Sequence, residues 1–200
     1  VAWEEEGEGL ITVVLAGFGP NGGEPLWAQR VLPNDTAARH VQGRIPFLAF
    51  QSEAARIAVV WIDRASSVPE LDVSLFDTAG TALGTSLAAR GSIRYHGALF
   101  VGGDVATVRW SRAAARLGLT LCPVAAGCAE PSATEDPALG IPVASLGGRP
   151  GLAPGAARGE FAAVWREKPG AASTDAVTEA EDAPAVGHEI FFVRFRCGGQ

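Results

Sequence analysis

Residues able to carry chemistry are few and scattered along this 200-residue chain. The sharpest pattern is Gly17-Phe18-Gly19-Pro20-Asn21-Gly22, which fits G-x-G-x-x-G and follows the apolar run 10–16. In a dinucleotide fold such glycines let backbone amides approach a pyrophosphate at a helix start, with an acidic residue about twenty positions on. Asp35 stands near that distance, but the surroundings do not fit. Pro25 and Pro33 confine any helix between them to about two turns, and Asp35 does not end an apolar strand. The context predicts a glycine turn between two strands, with a nucleotide-binding enzyme as the alternative.

Other catalytic patterns are missing. There is no G-x-S-x-G elbow and no P-loop, since Lys168, the one lysine, is followed by Pro169. His40, His96 and His188 are far apart, and His96 alternates with Tyr95 on a predicted strand, which predicts an exposed imidazole. Cys122, Cys128, Cys197 and His188 are a formal zinc set whose spacing matches no common zinc knuckle. Cys122 and Cys128 enclose Pro123-Val124-Ala125-Ala126-Gly127, a loop short and bent enough to close as a disulfide. In the chain-entropy model that bridge contributes about 2 kcal/mol. Two buried thiols are the alternative, and Cys197 is left over. The sequence thus nominates no catalytic, cofactor-binding or metal-ligating residue, and one disulfide, Cys122–Cys128.

The elements that must position these residues read as strands. Leu71, Val73 and Leu75 alternate with Asp72 and Ser74, the period of a half-buried strand. Asp77-Thr78-Ala79-Gly80 supplies the turn, and 81–87 the returning arm. Ile93 to Phe100, the Gly102-Gly103 turn and Val105 to Trp110 repeat the pattern, and 117–122 is a further candidate. Phe191, Val193 and Phe195 share one face of a last strand, and Ile190, Phe192, Arg194 and Arg196 share the other; the first face predicts a central position. Runs at 10–16, 44–50 and 56–63 are β-rich, while 26–31 and 111–117 read as short helices. Phe161 to Trp165 fits a strand or one helical turn. Trp61 reads as core. Trp110 lies on the face opposite Val105 and Thr107, so one of its sides is wet or covered by another element. No internal repeat stands out.

The expected fold class is mainly β, an antiparallel β-sandwich or jelly roll with long Gly/Pro/Ala-rich loops. An acidic arm over 1–9, with Glu4-Glu5-Glu6-Gly7-Glu8, precedes a single domain over 10–200 with long loops at 129–160 and 168–188. The formal charge of −6 argues against nucleic acid, and no apolar run approaches a membrane span. Arg109, Arg112 and Arg116 are the one local basic cluster; Asn34-Asp35-Thr36 is a sequon with meaning only in a eukaryotic secretory pathway. The absence of Met and the start at Val1-Ala2-Trp3 predict a chain whose leader has been removed, placing it in the periplasm, at the cell surface or outside the cell.

The segment Leu71 to Thr81, followed by Val101-Gly102-Gly103-Asp104 and a strand ending at Trp110, resembles bacterial exported pre-peptidase C-terminal β-sandwich domains over about residues 56–110. That resemblance implies an exported, non-catalytic accessory module and transfers no functional residue. Together these readings predict a non-enzymatic protein that binds other proteins or surface glycans, as an accessory or structural subunit of a cell-surface or envelope assembly, through the arm at 1–9 and the loops at 129–160 and 168–188.

Overall fold

The computed structural model describes residues 1–7, 10–32, 44–63, 68–91, 93–111, 115–123, 141–142, 150–157, 160–167 and 189–196. Among these the regular structure is all strand, with no helix. The first sheet holds β1 (Ala2–Gly7), β2 (Leu10–Leu15) and β3 (Arg30–Leu32). The second holds β4 (Arg44–Gln51), β5 (Arg56–Asp63), β6 (Glu70–Asp77) and β7 (Ala82–Arg90). The third holds β8 (Ile93–Val101), β9 (Asp104–Ser111), β10 (Arg116–Pro123) and β11 (Ile141–Pro142), and the fourth β12 (Gly151–Pro154), β13 (Glu160–Glu167) and β14 (Glu189–Arg196). Every pairing is antiparallel, so the mainly β, antiparallel reading holds. Neighbours in all four sheets follow chain order, so each sheet is a meander rather than the crossed order of a jelly roll.

Alternation along the strands decides which sheets share a core. In β5, Val59 and Trp61 join Val13, Leu15, Leu32 and Phe76, which ties the second sheet to the first. Ala58, Val60 and Ile62 point the other way and meet Ile93, Ala98, Val105 and Cys122 of the third. In β9, Val108 and Trp110 cluster with Ala163 and Trp165 of the fourth. The covering element expected for one side of Trp110 is therefore β12–β14.

Several readings are corrected by this packing. Of the two segments read as short helices, Arg30 and Val31 lie in β3, Ser111 in β9 and Arg116 and Leu117 in β10, and no helix occurs among their described residues. The stretch 129–160 is not wholly loop, because β11 and β12 lie in it, each held by a longer neighbour, β10 and β13. Ala2–Gly7 of the acidic arm pairs with Leu10–Leu15 along its whole length. The terminal ammonium donates to the Ala16 carbonyl at 2.7 Å. The last strand is the edge of its sheet, not its centre. Its two faces are as expected: Phe191 and Val193 pack inward, while Ile190 and Phe192 are exposed.

The absence of a repeat is corrected too. Each of the last three sheets opens with a hairpin whose second strand carries a tryptophan in its last three residues: Trp61, Trp110 and Trp165. All three are at least nine-tenths buried.

Candidate functional site

Three turns far apart in sequence meet at one end of the molecule. The β4–β5 turn supplies Gln51, Ser52 and Glu53; the β8–β9 turn supplies Val101 and Gly102; the β12–β13 turn supplies Pro154 to Ala157 and then Glu160. With Phe50 and Phe100 they line a recess of about 510 Å³, within the usual range for ligand sites.

Each turn is fixed by local chemistry. Ala55 takes a positive φ of 52° and its N–H donates to the Ser52 carbonyl at 3.3 Å, closing the first. Gly102 at φ 62° permits the two-residue second turn. In the third, the Gly155 N–H donates to the Glu160 carbonyl at 2.8 Å and the Glu160 N–H to the Ala157 carbonyl at 3.0 Å. A Cβ on Gly155 would lie 2.4 Å from that of Glu160, so only glycine closes this loop without a shift. The Gln51 amide ties two turns together, its Nε2 donating to the Gly102 carbonyl at 2.5 Å. That bond fixes the amide orientation and leaves Oε1 buried with no hydrogen-bond partner among the described residues.

The polar side chains here are mostly acceptors. The Glu160 carboxylate is 4% exposed and takes a bond from Arg194 Nη2 at 3.2 Å. Glu53 and Ser52 are exposed at the rim, and Phe50, 61% exposed, presents an open ring. Such a recess matches a ligand rich in hydroxyl or ammonium donors with a flat apolar side.

The residues singled out from sequence lie elsewhere. Gly17 to Gly22 form the turn region between β2 and β3, as expected. The Gly22 N–H donates to the Gly19 carbonyl at 3.0 Å and the Leu26 N–H to that of Gly17 at 2.8 Å, so these amides serve the loop itself. Phe18 and Pro25 bridge across it, and no helix follows. Gly17 and Gly80 are held for another reason: a Cβ on either would lie within 2.6 Å of the Trp27 indole, whose Nε1 donates to the Thr78 carbonyl at 3.2 Å.

His96 corrects the exposed-histidine reading. It is 3% exposed, and its Nε2 lies 3.1 Å from the Val60 carbonyl, linking β8 to β5. Both faces of β8 are covered there, so alternation with a neighbour does not mean a wet side. Arg109 lies over Gly118 and donates to Thr120 Oγ1 at 2.8 Å. Cys122 is buried near the end of β10. Asn34, Asp35, His40, Arg112, Cys128, Lys168, His188, Cys197 and the 168–188 loop lie outside the described residues.

Among the described residues, no group of three or more His, Cys, Asp or Glu is placed to hold a metal ion, and no helix is long and apolar enough to cross a membrane. No family model, curated protein or solved structure matches this chain.

The recess was not nominated by sequence. Its residues come from three hairpin ends about fifty positions apart, which share no spacing signal. The Gly102-Gly103 turn was visible, and Pro154 to Ala157 and Glu160 fall in the 129–160 stretch expected to bind, but no sequence signal joined them to each other or to Phe50 and Gln51.

Proposed function

We propose that the protein is a non-enzymatic, exported binding module, an accessory or structural subunit of a cell-surface or envelope assembly, that engages its ligand at the three-turn recess. The observation that carries this reading is the convergence of an open aromatic ring, Phe50, with the Glu160 carboxylate and the Gln51 amide at the meeting point of three rigid hairpins. Binding residues on turns held by a sheet scaffold are a recurrent arrangement. Of the two ligand classes expected, proteins and surface glycans, the recess favours a glycan. Sugar hydroxyls donate to carboxylate and amide oxygens, and the C–H face of a pyranose lies against an aromatic ring.

The Cys122–Cys128 disulfide belongs to the same proposal. Cys122 is buried at the strand end, and an oxidising compartment permits the bridge. Alkylation before and after reduction, read by mass spectrometry, checks it; three alkylated cysteines in the unreduced, unfolded chain would refute it.

A glycan array read with the intact chain tests the function. Hits that Phe50→Ala and Glu160→Gln each weaken by about tenfold or more support the recess. Hits that both variants retain would place binding elsewhere, and a blank array would leave the protein-binding form of the proposal to copurification.

A further inference from the structure

One polar atom of the recess is unlike the rest. Gln51 Oε1 is buried and accepts no hydrogen bond, and it is the one buried side-chain N or O atom in that state among the described residues. Its orientation is fixed. Nε2 of the same amide donates to the Gly102 carbonyl at 2.5 Å, and exchanging the two atoms would set oxygen against oxygen. The backbone holds the side chain from its other end: Gln51 is the last residue of β4, and the turn closed by the Ala55 N–H follows at once.

A buried acceptor without a donor is costly, and few survive in folded proteins. The protein around this one supplies none. Arg56, in register with Gln51 on β5, gives Oε1 no bond. The Gly155 and Glu160 N–H groups bond within their own turn. The Glu160 carboxylate is itself an acceptor, and Arg194 Nη2 is turned to it. An acceptor left over on the wall of a cavity of about 510 Å³ is placed to take its hydrogen bond from what the cavity holds.

We propose that Gln51 is the specificity-determining residue of the recess: its Oε1 accepts from one neutral hydroxyl of a bound sugar and rejects sugars in which that hydroxyl is missing or alkylated. This deepens the glycan reading and rests on it. The donor is neutral because the acceptor is uncharged and dry. The charge of Glu160 is already met by Arg194, so an ammonium seated beside Oε1 would lose its water without gaining a free counter-charge. A sugar without the hydroxyl forfeits a bond and also leaves Oε1 unpaired, so the site discriminates more steeply than an apolar pocket of the same size. Oε1 is covered in the free chain. The sugar reaches it by displacing side chains of the rim, where Phe50, Ser52 and Glu53 are exposed and change rotamer fast.

Calorimetric titration of the intact chain with the methyl glycosides of glucose, galactose and mannose, and with the monodeoxy and mono-O-methyl derivatives of each, is the test. For a parent sugar that binds, the derivatives altered at one ring position should bind about tenfold or more weaker, and those altered elsewhere should lose much less. This series needs no variant of the protein. In Gln51→Met, which keeps the length of the side chain but has no amide, the parent should weaken and the penalty at that position should vanish; melting curves check that the variant is folded. Parent sugars that bind with no penalty at any position would overturn the inference and leave the glycan reading standing. So would a penalty that Gln51→Met retains, since another group would then read the hydroxyl. If no sugar binds, here or on the array, the glycan reading falls and this inference with it.

Discussion

The inner and outer sheets of this molecule solve different problems. In β5, residues Ala58 to Asp63 are all buried, and in β9 Val105 to Val108 are buried in succession, because a neighbouring sheet lies on either face. In β14 burial alternates, with Phe191 and Val193 inward and Ile190 and Phe192 in solvent. Covered on both sides, a strand can only contribute stability; covered on one side, it can also present a surface. The exposed apolar side chains on the last sheet follow that division; the recess does not, since turns of two inner sheets meet a turn of the last sheet there.

The largest test of this contrast is truncation of equivalent aromatic side chains. Trp61→Ala should cost about 3–5 kcal/mol, since it leaves a cavity between two sheets and removes the Nε1 bond to Ser74 Oγ at 3.3 Å. Phe192→Ala, on the outward face, should change stability by no more than about 0.5 kcal/mol. Urea unfolding of the two variants measures the difference; similar losses would break the comparison.

His96→Phe should come next. It removes the imidazole contact to the Val60 carbonyl that links β8 to β5, at a cost of about 1 kcal/mol. Chemical denaturation checks it, and a neutral result would mean that water replaces the ring.

Much of this contrast was legible in the sequence, and the failures have physical causes. The alternation at Leu71, Val73 and Leu75 gave β6 and its turn because one periodicity dominates there. The faces of β14 were equally plain, but its place at the edge was not, since an apolar face does not say whether one or two strands pair beside it. β11 and β12 escaped because Ile141–Pro142 and Gly151–Pro154 are too short and too rich in Pro and Gly to show a period; they are strands because β10 and β13 hold them. His96 was misplaced because alternation was taken to mean one wet face. The recurrence of Trp61, Trp110 and Trp165 late in the second strand of successive hairpins was the signal that could have revealed the repeat. The recess was beyond reach, as Phe50, Gly102 and Glu160 are brought together only by the meeting of three sheets.

Smaller effects sharpen the account at the turns. Gly80→Ala should destabilise by about 1 kcal/mol or more, because φ is +77° and the added methyl meets Trp27. Gly102→Ala, with a positive φ but open space around it, should cost less. Thermal melts of the pair separate backbone strain from the clash.

The smallest effect should be at Asp77. The Thr81 N–H donates to Asp77 Oδ1 at 2.7 Å, and this bond above all holds the carboxyl below its usual range, with Arg30 a lesser cause. A lowered folded pKa means that the contribution is complete above the ordinary carboxyl range and is lost as pH falls through the lowered value. Asp77→Asn should therefore lower stability slightly at neutral pH, where the contribution is complete, and flatten its acid limb, as melting curves from neutral to acid pH would show.

Hydrogen exchange along the chain tests the central contrast most directly. The amides of β5, β6 and β9 should open only with global unfolding, whereas those of β14, and Ala82 to Thr85 at the exposed end of β7, should exchange through local opening orders of magnitude sooner. If β14 of the dilute single chain is as protected as β5, the division between a doubly covered core and a surface-bearing end sheet is wrong.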